Sequence, residues 1–301
     1  MSSGRRAYLD RKSGQLKTDP MYALAFLDWC YNTPLGILST RLLLSRRFVS
    51  KLYGWYYRQS WTRRKIASFA RTMDVDLGEL TQPLESFASF SDFVSRSIDL
   101  SKRRIDPDPR ACICPADGRV LAYPALDAGQ SLQIKSSRFD VVTLLRDDAL
   151  AKRYAGGGAV IVRLYLADYH HFHFPAAGIP SPPREVTGRY FATTPYARRW
   201  AVPVYAENHR AITLFASDHF GQMVIAEVGA FTIGSVQQRF VAGERVEKGG
   251  HKGLFELGGS AIVLLFEPGA ILLDSDLCEN TGAGIETFVR LGERIGVSST
   301  A

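Results

Sequence analysis

The sequence predicts an α+β protein, with helices at the N-terminus followed by an antiparallel β-rich core. Three observations predict it. Apolar residues recur at helical spacing between residues 20 and 73. Beyond residue 110 the pattern changes to short β-branched runs punctuated by Gly and Pro. No long helical pattern alternates with those runs, which argues against a parallel βαβ sheet. We expect a helical, basic region over residues 1–100 and the β-rich core over residues 101–301.

The helical region begins with Met21 to Tyr31, which is apolar on most sides. Asn32-Thr33-Pro34 reads as a stop followed by a new N-cap with Pro in the first turn. Leu35, Leu38, Leu42 and Val49 then recur at helical spacing, with Arg41, Arg46, Arg47 and Lys51 between them. Tyr53, Trp55, Tyr56, Tyr57 and Trp61 follow, and then Arg63, Arg64 and Lys65.

The net charge of +7 is concentrated in this region. Residues 1–80 hold 14 Lys+Arg against 6 Asp+Glu, and the other residues hold 23 against 24. Such an excess favours a polyanionic partner. Apolar helical faces, aromatic clusters and basic side chains together suit the plane of a bilayer interface. Each Lys or Arg beside an anionic surface contributes about 1 kcal/mol there. For any single helix the alternative is plain packing on the core. Nucleic acid is not expected, because the aromatics are mixed with too many aliphatic residues for a stacking groove. No signal-peptide pattern is visible, and Asp28 interrupts the best apolar stretch, short of the roughly 20 residues a membrane span needs.

In the core, strands are expected at Ala159 to Leu166 (entered from Gly156-Gly157-Gly158), Ala211 to Ala216, Gln222 to Val228 and Ala261 to Phe266. Gly243 to Gly250 reads as a turn-rich hairpin leading toward Ser260. Cys30, Cys112, Cys114 and Cys278 do not make a disulfide framework or a zinc set, so all four are expected as free thiols.

Three clusters carry chemistry. Pro115-Ala116-Asp117-Gly118-Arg119-Val120 is by itself a common turn before a strand. Asp168-Tyr169-His170-His171-Phe172-His173-Phe174-Pro175 gathers half of the six histidines, the side chain best suited to moving protons near neutral pH. It lacks metal-ligand spacing, so no metal is expected. Leu257-Gly258-Gly259-Ser260-Ala261-Ile262-Val263 places two glycines before a serine at a strand entrance. Glycine frees the backbone around that one peptide bond. An Asp, a His and a Ser invite a serine hydrolase. No G-x-S-x-G elbow surrounds any serine, however, and Gly-Gly-Ser suits a hydroxyl attacking its own upstream carbonyl.

In this order and spacing the clusters resemble the phosphatidylserine decarboxylases of prokaryotic type, which carry P-x-D-G-x-V, D-Y-H-x-x-H-x-P and G-S-T segments. The likeness extends to Tyr8-Leu9-Asp10-Arg11, Lys51 to Tyr56, Phe90 to Arg96, Gln133-Ile134-Lys135 and Val228 to Val236. One departure stands out: Ala261 occupies the position where the family usually has Thr. Loss of that hydroxyl is expected to slow self-processing without ending it.

The resemblance implies a catalytic core in which Asp117, His173 and Ser260 perform self-cleavage between Gly259 and Ser260. His173 would take the Ser260 proton and Asp117 would support the imidazole. Residues 1–259 and 260–301 would remain associated as two chains. Ser260 would become a covalent pyruvoyl cofactor that forms a Schiff base with the amine of phosphatidylserine. His170 would assist decarboxylation or reprotonate the α-carbon. Because His170 and His173 lie three apart, a turn is expected between them if both are to face one site. His171 is extra to the motif. Cationic side chains are expected near the anionic head group, without the sequence saying which.

The implied place of action is the cytoplasmic face of an anionic cell membrane, with the protein bound peripherally. Homo-oligomerisation stays open. The alternatives are a pyruvoyl decarboxylase of another amino-bearing substrate, a Ser/His/Asp hydrolase, or a membrane-binding scaffold that has lost processing.

Overall fold

The computed structural model describes residues 7–20, 24–126, 131–134, 137–191, 204–230, 236–256 and 260–299. Within the segment expected to be helical, the chain first forms a hairpin, β1 (Ala7–Asp10) and β2 (Gln15–Thr18). Helices α1 (Leu24–Asn32), α2 (Pro34–Ser39), α3 (Arg47–Tyr57), α4 (Ile66–Thr72) and α5 (Phe90–Val94) follow. The stop expected at Asn32-Thr33-Pro34 forms. Thr33 is the N-cap of α2, its hydroxyl accepts from Gly36 N at 3.1 Å, and Pro34 opens the first turn.

The core strands are β3 (Ala111–Ile113), β4 (Gly118–Tyr123), β5 (Ser131–Ile134), β6 (Ser137–Asp140), β7 (Ala159–Arg163), β8 (His171–His173), β9 (Gly178–Pro180) and β10 (Arg184–Val186). They continue with β11 (Arg210–Ser217), β12 (Gly221–Val228), β13 (Val236–Gln238), β14 (His251–Phe255), β15 (Ala261–Leu265), β16 (Ile271–Leu273), β17 (Glu286–Val289) and β18 (Arg294–Ser298). The main sheet runs β10-β11-β12-β15-β7-β4-β17-β1-β2, with β9 also on β11. Its pairs are antiparallel except β1 on β17, which is parallel. A second sheet, β13-β14-β8, carries the histidines. The turn-rich stretch 243–250 lies in the connection of the β13–β14 hairpin, where Val246 bridges to Gly178.

The central strands read as unbroken apolar runs because both faces of the sheet are covered. On one face Val120, Val162, Ile225, Ile262 and Leu264 pack with Phe69, Phe90 and Phe93 of the helical region and with Phe172, Phe174 and Phe255. On the other, Leu121, Ile161, Val224, Val263 and Leu265 pack with Val141, Leu144, Leu145 and Tyr205. At the register shift between β14 and β8, Gly253 admits the Phe172 ring; a β-carbon there would collide with the Gln237 carbonyl.

Inside the first layer lies a fully buried ion pair, Lys252 Nζ to Glu227 Oε1 at 2.7 Å. Lys252 also donates to Thr213 Oγ1 at 3.0 Å and Gln238 Oε1 at 2.9 Å, and Gln238 donates to Glu227 Oε2 at 3.0 Å. Lys252, Gln238 and Glu227 thus partner one another inside the layer. Removing one partner of such a pair leaves an uncompensated buried charge. Lys252→Met should lower unfolding free energy by about 3–5 kcal/mol in urea titrations, and adding Glu227→Leu should recover most of it. An additive further loss in the double variant would contradict a coupled pair.

Candidate active site

Two connections bring the expected residues together. The chain leaves the main sheet after β7 and enters β8, and it leaves β14 to enter β15. β7 pairs with β15 and β8 pairs with β14, so each strand that borders the histidine motif is paired with one that borders Ser260. The ladder ends at Leu164 N, which donates to Ser260 O at 2.9 Å, and resumes where Phe255 N donates to His170 O at 2.9 Å. Ser260 and the histidine motif therefore occupy the same crossing.

Ser260 is fully buried, and its Oγ has no hydrogen-bond partner among the described residues. Ser260 immediately precedes β15, whose Ile262 and Leu264 pack in the layer of Phe172 and Phe255 while Ala261 and Val263 pack in the other. Gly258 and Gly259, and with them the expected cleavage bond, lie outside the described residues, as do Lys135 and residues 231–235 of the matching segments.

The histidines have defined tautomers. His173 Nδ1 lies 2.8 Å from the Gly249 carbonyl. A carbonyl only accepts, so Nδ1 carries the proton and Nε2 holds the lone pair. His170 Nδ1 likewise faces the Asp168 carbonyl at 2.9 Å, leaving Nε2 as its accepting nitrogen. Burial lowers the His173 pKa to about 4, against the pull of the Gly249 carbonyl. Burial lowers that of His170 to about 3, with Arg96 adding to the shift. Both rings are neutral bases at pH 7.

His171, extra to the motif, is part of the ring cluster. It stacks on Tyr169 at 4.9 Å with 4° between planes, and on His251 at 4.9 Å. Its Nε2 meets the Ser95 carbonyl at 3.0 Å, so its Nδ1 accepts from His251 Nε2 at 3.0 Å. His171 and His173 share a face toward His251, while His170 precedes the strand in irregular backbone. The turn expected between His170 and His173 is instead upstream. Asp168 N donates to Tyr165 O at 2.9 Å, and Asp168 Oδ2 accepts from Tyr165 N at 2.6 Å. His171 to His173 are extended because β14 supplies a strand partner for them.

Asp117 does not touch His173 directly. Its Oδ2 takes Arg103 Nη2 at 2.7 Å and its Oδ1 accepts from Leu291 N at 2.8 Å. Arg103 is itself gripped by Glu79, at 2.7 Å through its second oxygen. The motifs meet through the backbone instead, where His173 N donates to the Pro115 carbonyl at 2.8 Å.

Asp19, Arg163 and Glu286 gave no motif signal. Asp19 joins Arg119 at 2.5 Å and Arg163 at 3.1 Å; Arg163 also pairs with Glu286 at 2.5 Å, and Arg119 with Asp168. Arg96 is buried and donates to the Ala167 carbonyl at 2.6 Å, placing a cation behind the histidine motif. Charged residues in otherwise apolar strands, such as Arg119 and Arg163, were the available sign. The four cysteines are free thiols, and no metal-holding group of His, Cys, Asp and Glu occurs among the described residues.

The lowered histidine pKa values make stability pH-dependent. Below 6.5 the unfolded chain takes up protons that the folded one refuses until about pH 4 for His173 and about pH 3 for His170. Stability is thus full above 6.5 and falls on acidification, by up to about 1.4 kcal/mol per pH unit per histidine. Urea unfolding from pH 7 to 4 should show this slope. His170→Gln should flatten it, and an unchanged slope would place His170 outside the protected interior.

The family model for phosphatidylserine decarboxylase matches residues 90–297. The chain is similar to the phosphatidylserine decarboxylase proenzyme of Chlamydia caviae, 36% identical over 291 residues covering 97% of each chain. That of Desulfitobacterium hafniense is 36% identical over 290 residues, 96% of this chain and 97% of the relative. That of Fusobacterium nucleatum is 35% identical over 289 residues, 96% of each. The chain belongs to the phosphatidylserine decarboxylase family, a family of carboxy-lyases.

Proposed function

We propose that this chain is a proenzyme that cuts itself between Gly259 and Ser260, then decarboxylates phosphatidylserine to phosphatidylethanolamine at a pyruvoyl group made from Ser260. The observation that carries this is an orphaned, fully buried serine hydroxyl at the same sheet crossing as two neutral histidines of fixed tautomer. In self-cleavage Ser260 Oγ attacks the Gly259 carbonyl carbon and its proton passes to His173 Nε2. The C–N bond breaks, the nitrogen of residue 260 takes a proton, and an ester joins the two pieces. Elimination frees residues 1–259 and leaves dehydroalanine, which hydrolyses to the pyruvoyl group and ammonia.

The site fits that group. Ser260 is fully buried at the entrance of an apolar strand, and its Oγ has no hydrogen-bond partner among the described residues to lose. When formed, the pyruvoyl group supplies a ketone that condenses with the substrate amine and accepts the electrons released with carbon dioxide. His170, with Nδ1 held by the Asp168 carbonyl, would take at Nε2 the proton that the substrate ammonium loses and return it to the α-carbon. Residues 260–301 stay bound after cleavage because β15 is hydrogen-bonded between β12 and β7.

The same proposal places the protein peripherally on the cytoplasmic face of an anionic membrane. No helix among the described residues is long and apolar enough to cross a membrane. Yet among the described residues ten of the sixteen exposed large hydrophobics fall between Phe26 and Trp61, including Leu35, Leu42, Leu52 and Trp55. Packing on the core would have buried them. Arg41, Arg46, Arg47 and Lys51 are interspersed among them.

Intact mass spectrometry should find residues 1–259 and a 260–301 fragment without a free amino terminus, and Ser260→Ala should leave one chain. An unbroken chain whose Ser260 reacts with a fluorophosphonate would identify a hydrolase instead. Carbon dioxide release from phosphatidylserine vesicles, absent with free serine, tests the substrate. The double variant Leu52→Glu, Trp55→Glu should bind phosphatidylserine vesicles at least tenfold more weakly, each lost side chain removing about 1.5–3 kcal/mol of burial. Unchanged binding would remove these helices from the contact.

A further inference from the structure

Asp117 and His173 do not meet, but Tyr169 neighbours the surroundings of both: it packs with Leu291, whose amide donates to Asp117 Oδ1 at 2.8 Å. The Tyr169 hydroxyl is 3.4 Å from His173 Nε2. Because the Gly249 carbonyl fixes the proton of His173 on Nδ1, Nε2 is the acceptor and Tyr169 is the donor. Tyr169 is almost fully buried, and its ring is clamped flat on His171. Among the charges that act on its hydroxyl, Asp117 comes first, followed by Arg103 and Arg96. We propose that Tyr169 is the positioning residue that couples Asp117 to His173 during self-cleavage. The inference rests on the proposed function and deepens it.

In the resting chain the phenolic O–H holds the His173 lone pair and the orientation of the ring. When Ser260 gives its proton to Nε2, the phenolic O–H turns toward Asp117 and its oxygen accepts the new Nε2–H. No proton is gained or lost by Tyr169 over the step. The groups facing His173 are Tyr169 and His171 on its own segment, and Gly249 and His251 from the neighbouring strand and its approach. Asp117 holds Arg103 and the amide of Leu291, and Leu291 packs on Tyr169. A hydrogen bond donated to Nε2 favours the neutral ring, so its loss raises the proton affinity of His173.

The test follows self-cleavage of the full chain by intact mass as a function of pH. Tyr169→Phe should slow cleavage at least tenfold at neutral pH and move the acid limb of the rate profile upward by half a unit or more. Combined with Asp117→Asn it should cost little more than either change alone, as expected of two groups acting through one contact. A profile identical to the parent, or fully additive losses with no movement of the acid limb, would overturn the proposal.

Nitrogen NMR of His173 in a Ser260→Ala chain supplies a second measurement that needs neither cleavage nor the Tyr169 variant. Nδ1 should be the protonated nitrogen and Nε2 a hydrogen-bonded acceptor, and the opposite tautomer overturns the proposal. A parent chain that never cleaves would defeat the proposed function, whereas the NMR result would still decide the Tyr169–His173 contact.

Discussion

The buried charge network around Asp19 is the constraint on which the rest of the site depends. Asp19 follows the N-terminal hairpin and touches both Arg119 and Arg163. Arg119 is two residues from Asp117 and also holds Asp168, at the head of the histidine motif. Arg163 lies opposite Ala261, beside Ser260, and also holds Glu286. One network thus touches all three chemical clusters and both termini of the core. Desolvating five charged groups costs several kcal/mol each, and only close multiple contacts offset that cost. The rings of Tyr8 and Phe288, 4.7 and 5.0 Å from the Arg119 guanidinium, complete its surroundings. An arrangement so expensive to assemble wrongly has one good geometry, and that geometry aligns the two sheet crossings.

The network also explains why the N-terminal hairpin escaped the sequence pattern. Ala7 to Thr18 has no apolar periodicity, and its outer strand is exposed along its length. It is a strand because β17 offers a parallel edge and Arg11 reaches Asp274 and Asp276 at 2.8 Å, not because of local propensity. The central strands, by contrast, were legible from apolar runs alone, and the Thr33-Pro34 helix start from local chemistry alone. Local signals predict elements whose energy is local. Edges set by ion pairs more than 250 residues away leave no such signal.

The candidate site divides the same way. The histidine cluster and the Gly-Gly-Ser segment stood out by composition, and the fold brings Ser260 to the strand pairs that border the histidines. The partner of each was invisible, because His170 and His173 are oriented by backbone carbonyls of Asp168 and Gly249. A carbonyl has no residue type to recognise. The support of the His173 imidazole by Asp117 is what the family resemblance implies, and in this structure Arg103 and the Leu291 amide hold that carboxylate.

The same geometry bears on Ala261, the departure from the usual Thr. Side chains alternate along β15, so Ala261 points into the second apolar layer, among Ile161, Val228 and Val263, while Ile262 and Leu264 point into the first. A hydroxyl at position 261 would lie across the sheet from the histidines. It would also need a hydrogen-bond partner in a layer of aliphatic and aromatic side chains, at a cost of about 1–3 kcal/mol if left unpaired. Alanine avoids that cost and leaves the first layer untouched. What a threonine at this position contributes elsewhere must therefore act through the backbone of residue 261. Here that backbone is already fixed from both sides, by β7 and by β12.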